Sequence, residues 1–174
     1  MKRLMIVCCL LPVLFFSCKR DKKEILMRSW RAVNMENAEN DNFFKQSKLF
    51  IDTIGNNGDD ATNLRLYGAT NMDSVRRAML LQYDSAKAIQ MEAVNSTVFN
   101  FKKDSVVIFY LSGRIDTGRW YMEGENALMV EERNGDGDAE KMKWDVLTLT
   151  DTALKLVMRD GEASTTVTFH PEGK

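Results

Sequence analysis

From Ser96 to Phe169 large apolar side chains recur at every second position, and short clusters of glycine, asparagine, aspartate and serine interrupt the run. A period of two is the spacing of a strand with one face buried, so this stretch admits few folds. Phe99 and Phe101 share a face before Lys102-Lys103-Asp104 turns the chain. Val107, Phe109 and Leu111 alternate with Val106, Ile108 and Tyr110, a pattern expected of a strand covered on both faces. Ser112-Gly113 turns into a strand where Trp120 and Met122 alternate with Arg119 and Tyr121, and Gly124-Glu125-Asn126 leads to Leu128 and Val130. After the polar turn Arg133 to Asp138 come Met142, Trp144 and Val146, then Leu147 and Leu149 in the opposite phase, which predicts a bulge near Val146. Thr150-Asp151-Thr152 turns into Leu154, Leu156 and Met158, Asp160-Gly161 is a two-residue hairpin signal, and Val167 and Phe169 close the run. With one strand upstream the count is about eight, arranged as an antiparallel meander. Such a sheet with one apolar face curls into a barrel or a strongly bent sheet.

The upstream strand carries Trp30, with Ala32 and Asn34 in phase with it and Val33 and Met35 on the other face; a helical turn near Glu24–Arg28 leads in. Between the first strand and the second the period changes. Phe43, Phe44, Ser47, Phe50, Ile51 and Ile54 form one helical stripe, with Asn40 or Asp41 as its cap and Gly55 at its end. Gly55 to Gly68 has the composition of a loop. Met72, Val75, Met79, Tyr83, Ala86, Ile89 and Ala93 form a second amphipathic helix, with Asp73–Arg77 and Asp84–Lys87 as side-chain pairs. Such a stripe packs onto its own domain's core more often than onto a partner helix or a membrane. The fold class is therefore mainly β with a helical insertion (α+β): two helices, about 37–95, between strands one and two.

The first residues belong to no fold. Lys2 and Arg3 precede the apolar run Leu4 to Phe16, which is shorter than the ~20 residues that cross a bilayer. Phe15-Phe16-Ser17-Cys18 follows, and it resembles the lipobox of bacterial lipoproteins. That resemblance implies a signal peptide over 1–17, cleavage before Cys18 and acylation of Cys18, which becomes the attachment to the membrane. Lys19 stands where the family's inner-membrane retention signal has Asp, which points to the outer membrane, on either its periplasmic or its surface face. Residues 18–24 read as a charged tether and 25–174 as the folded domain. The cysteines are Cys8, Cys9 and Cys18, so a mature chain of 157 residues, 174 less the first 17, has no free thiol. Disulfides, thiolate metal sites and cysteine nucleophiles are excluded for it.

Gly118-Arg119-Trp120, Leu128-Met129-Val130 and the segment Trp144 to Leu156 together are similar to the lipocalin-like domains of many bacterial envelope lipoproteins. Trp30 stands where that family often has an aromatic residue, with Ser29 in place of the usual Gly. The resemblance implies a lipocalin-like barrel. The helical pair departs from most such domains and is similar, by position alone, to the helical lid of fatty-acid-binding barrels.

Chemical motifs are few. His170 is the single histidine, five positions from the end, with no Gly-x-Ser-x-Gly to serve, and reads as a solvated strand-end residue. Asn134-Gly135-Asp136-Gly137-Asp138 spaces its oxygens like a calcium loop, but Ala139 and Asp145 stand where an EF-hand needs Gly and Glu, so a polar turn is favoured. Asp59-Asp60 is weaker still. Glu131-Glu132, and Asp116 with Glu123, are carboxylates of the kind that face solvent from strands. The formal charge of −1, or −3 without Lys2 and Arg3, gives no bulk attraction to nucleic acid. No cofactor or metal is expected.

Trp30, Phe99, Phe101, Phe109, Trp120, Trp144 and Phe169 are the candidate lining of an apolar ligand cavity. The alternative is that they fill the interior, as in many small barrels. Two functions follow: a non-enzymatic envelope lipoprotein binding a small apolar ligand, or an interaction or structural accessory protein with a filled core. The expected partners are a membrane, reached through Cys18, and a small apolar ligand or an envelope protein.

Overall fold

A computed structural model describes residues 21–133 and 139–173. Residues 1–17, Cys18 and the turn 134–138 lie outside the described residues. The strands are β1 (Ser29–Asn37), β2 (Val98–Phe101), β3 (Val106–Leu111), β4 (Arg114–Glu123), β5 (Ala127–Arg133), β6 (Ala139–Leu149), β7 (Leu154–Asp160) and β8 (Ala163–Pro171). Each pairs antiparallel with its neighbour in sequence, and β8 pairs back onto β1, so the sheet closes into an eight-stranded barrel. Closure leaves no free edge except where a ladder stops short.

The ladders carry the inward side chains in register around the wall: Trp30 opposite Phe99, Phe99 opposite Phe109, Trp120 opposite Val130, Leu128 opposite Trp144 and Leu154 opposite Phe169. Two bulges shift that phase. The one expected near Val146 falls between Val146 and Thr148, and it turns Leu147 outward, 60% exposed, so that Leu149 packs on the core. A second, between Ala32 and Asn34, is a departure from the simple alternation: Val33 is the extra residue, Asn34 is exposed, and Met35 takes the inward place. The last hairpin also differs by one position, since Asp160 pairs with Ala163 and the loop residues are Gly161 and Glu162.

One end of the barrel is closed by α1 (Lys22–Leu26), which begins two residues before the expected turn and takes in the last three residues of the expected tether. The Asp21 side chain accepts from the Lys23 amide and caps it. Leu26 is fully buried, and its carbonyl accepts from Trp30 Nε1 at 3.0 Å. Lys22 Nζ donates to the Glu125 carbonyl and to Asn126 Oδ1, and Arg28 donates to the Asp151 carbonyl. These bonds strap α1 across two of the turns at that end.

The insertion leaves from the opposite end. It holds three helices, α2 (Ala38–Thr53), α3 (Asp60–Tyr67) and α4 (Met72–Ser96). Asn37, the last residue of β1, caps α2, three positions before the expected Asn40 or Asp41. The supposed loop 55–68 contains α3, capped by Asp59. Asp73 pairs with Arg76 at 2.8 Å rather than with Arg77, and Lys87 lies over the Tyr83 ring rather than bonding Asp84. At about 1.5 Å per residue, α4 is roughly 37 Å long, and it touches the barrel at β1 and β3. Its stripe packs within its own domain, with Phe44 of α2 edge-on to Tyr83 and Val94 in the barrel core; Ile89 is 68% exposed.

Candidate functional site

The seven aromatic residues divide between the two halves of the barrel. Trp30, Phe101 and Trp120 belong to the closed half. Trp120 donates to the Lys102 carbonyl at 3.1 Å and meets Phe101 edge-on, and Trp30 is held by Leu26. With Leu128, Val130, Leu154 and Leu156 they form one buried apolar cluster there.

In the open half Phe99, Phe109, Trp144 and Phe169 surround a chamber of about 220 Å³. Phe99 is its hub, with ring centroids 5.0 Å from Phe109, 4.9 Å from Phe169 and 5.4 Å from Trp144, the last nearly parallel. Both expectations, cavity and filled core, thus describe part of one interior. Met35, Met142 and Met158 complete much of the wall with Leu111 and Val167, and Thr97 and Glu132 are its polar members. Methionine thioethers adapt to irregular apolar shapes, so the wall is soft on three sides. The Thr97 hydroxyl is taken by the Ala93 carbonyl at 2.9 Å.

Gly118 lies beside the chamber residue Phe109. It sits opposite Glu132 on the inner face, and a Cβ there would lie 2.8 Å from the Glu131 carbonyl oxygen. β4 and β5 approach so closely at this point that any side chain there would force the strands to shift.

The residues weighed for acid–base chemistry do not come together. Glu131 and Glu132 are consecutive on β5 and face opposite sides of the wall; Glu131 bonds Lys141 at 3.0 Å, which raises the Lys141 pKa. Asp116 pairs with Arg114 and Glu123 with Lys143, seven positions apart on β4 and on opposite faces. His170 is exposed on β8 opposite Arg31. Asp59 spends its carboxylate on the α3 cap, and the hydrogen bonds from Thr62 hold it below the usual carboxylate range. Among the described residues no group of three or more His, Asp or Glu side chains is placed to hold a metal ion, and no helix is long and apolar enough to cross a membrane.

Sequence reasoning missed Glu132 as a wall residue. It also missed the strand methionines, whose alternation with polar neighbours marked them as inward-facing in Met142 and Met158. For Met35 the bulge at Val33 hid the signal.

No family model matches the chain, and no curated protein matches it in sequence. Among solved structures, that of a DUF4847 family protein from Bacteroides vulgatus is similar to it, with 10% identity over 88% of this chain and 98% of that chain and a TM-score of 0.44. A likeness that remote carries nothing about ligand or activity.

Proposed function

We propose that the protein is a non-enzymatic envelope lipoprotein whose barrel takes up a small apolar ligand, or the apolar end of a longer one, in its open half. The chamber between Phe99, Phe109, Trp144 and Phe169 carries this reading. An eight-stranded barrel has room for its own side chains or for one small ligand. An apolar void of about 150 Å³ stays dry and takes up benzene, so 220 Å³ suits a single ring or a short alkyl chain. The Ser17-Cys18 motif supports lipid attachment at Cys18, and Lys19 supports an outer-membrane address. Several acyl chains on one residue hold a protein to a bilayer far longer than one chain does.

The test is titration of the purified protein with octanol, followed by tryptophan emission. Saturable one-to-one binding that disappears when the chamber is blocked is expected; no saturable change up to the solubility limit would overturn the reading. Attachment is tested separately, by feeding a clickable fatty acid to the native host: wild type takes the label and Cys18→Ala does not.

A second reading, an interaction or structural accessory protein, has one observation in its favour. The middle of α4 leaves Leu81, Ile89 and Met91 at 70%, 68% and 65% exposure. Replacing these three by Gln leaves octanol binding intact under either reading. Loss of a cross-linked envelope partner in the native host would favour the accessory role.

A further inference from the structure

Beside the chamber the barrel wall is incomplete. β6 pairs with β5 as far as Arg133↔Ala139, but its ladder with β7 stops at Trp144↔Met158. The first residues of β6, 139–143, therefore have a partner strand on one side only. A groove of about 810 Å³ lies along this gap, and it shares Met35, Met142, Trp144 and Met158 with the chamber. The two spaces adjoin through those four side chains.

The charges along this path are unequally satisfied. Lys141 pairs with Glu131 at 3.0 Å, Lys143 with Glu123 at 3.1 Å, and Arg159 with Asp145. Every cation in the groove wall is thus already matched by a carboxylate. Asp116, on the inner face of β4, is matched by Arg114 at 3.3 Å. Glu132 in the chamber wall and Glu140 in the groove wall differ: among the described residues neither has a hydrogen-bond or ion-pair partner. They stand directly opposite each other in the β5–β6 ladder. Opposed residues share a face with Cβ atoms about 4.5–5.5 Å apart, and like charges so placed repel. The unmatched charge is therefore negative in the chamber wall, at Glu132, and in the groove wall, at Glu140. A ligand with an anionic head would add to that repulsion, and a neutral head would leave it unchanged. A cation between the two carboxylates removes it and makes charge-assisted hydrogen bonds.

We propose, resting on the reading that the chamber binds a ligand, that the occupant is a cationic amphiphile. Its alkyl or aryl end fills the chamber, its ammonium or amidinium group lies between Glu132 and Glu140, and any longer remainder leaves through the gap between β6 and β7.

Three probes of equal chain length test this: octylammonium, octanol and octanoate, each titrated against the purified protein below its micelle concentration. The ammonium is expected to bind about tenfold tighter than octanol, the effect of roughly one charge-assisted bond, and octanoate more weakly than octanol. Added salt shrinks the preference. In Glu132→Gln with Glu140→Gln the ammonium falls to the octanol affinity, while octanol binding stays as it was. Glu140→Gln alone, at the exposed edge of β6, lowers the preference part of the way and serves if the double variant folds poorly. Equal binding of ammonium and octanol, or a preference that survives the double substitution, overturns the cationic assignment and leaves the chamber standing. Failure of all three probes to bind overturns the chamber reading, and this proposal with it.

Discussion

Filling the chamber should make the protein more stable and less able to bind. An enclosed apolar void weakens packing by about 24 cal/mol per Å³; the 220 Å³ chamber opens to solvent, so that rate sets an upper bound on what filling it returns. Val167 is the position to use. It is 1% exposed, lies between Met35 on β1 and Leu156 on β7 in the ladders, and forms part of the chamber wall. In Val167→Phe a ring taking up about a quarter of the space returns roughly 1 kcal/mol, and the melting temperature rises by about 2–4 °C. The same ring lowers octanol affinity by about tenfold or more. Calorimetric melting and the octanol titration measure the two effects on one sample. A core already packed at that point would respond in the opposite sense, losing about 1–3 kcal/mol to overpacking. A fall in melting temperature with octanol binding unchanged would therefore refute the claim that the space is open.

Three further outcomes follow from the wall and its closures. Gly118→Ala places a Cβ 2.8 Å from the Glu131 carbonyl oxygen, so β5 must shift; a loss of about 1–3 kcal/mol is expected in urea unfolding, and an unchanged midpoint would show that the strands yield freely there. Trp30→Phe leaves the Leu26 carbonyl without its donor, which costs about 1–3 kcal/mol; the urea midpoint should fall while octanol affinity holds, and a change in affinity instead would put Trp30 in the ligand site. Asp59 has a folded pKa below its unfolded value because it accepts from Thr62. Its contribution to α3 is therefore present above the ordinary carboxylate value and lost as pH falls through the lower folded value. Protection of the Thr62 amide, taken relative to its intrinsic exchange rate at each pH, should fall over that acid window in the wild type and at neutral pH in Asp59→Ala; protection independent of both would remove Asp59 as the cap.

Much of the barrel is legible because its determinants are local. Trp120, Trp144 and Phe169 alternate with polar neighbours, and the phase change at Leu147 reports its own bulge. The bulge at Val33 is not legible, since Ala32, Val33 and Asn34 differ too little in polarity to show which one is extra. Helix α3 was hidden by a composition of Asp, Asn, Thr and Gly, although Asp59 and Gly68 bracket it as cap and left-handed stop. The chamber itself has no local signature. Phe99 and Phe101 are equivalent in sequence, yet one lines a space and the other lies in the filled half. The difference comes from α1, which delivers Leu26 to one end of the barrel. The opposition of Glu132 and Glu140 is likewise a product of register, set across a turn whose length alone does not determine it.

The division of the interior also explains how a barrel of this size can leave space unfilled. The closed half holds most of the fully buried large side chains, among them Trp30, Phe101, Leu26, Leu128 and Leu154, and binds α1 over its end through Lys22, Arg28 and the Trp30 indole. Folding free energy concentrates there. The open half, relieved of that task, can keep a chamber, a ladder that stops at Trp144 and an unmatched pair of carboxylates. Each of these features lowers stability on its own, by lost packing, lost strand pairing or like-charge repulsion. They lie together beside one space instead of being scattered over the barrel, and a cationic amphiphile would offset two of them at once, filling the void with its apolar end and neutralising Glu132 and Glu140 with its head.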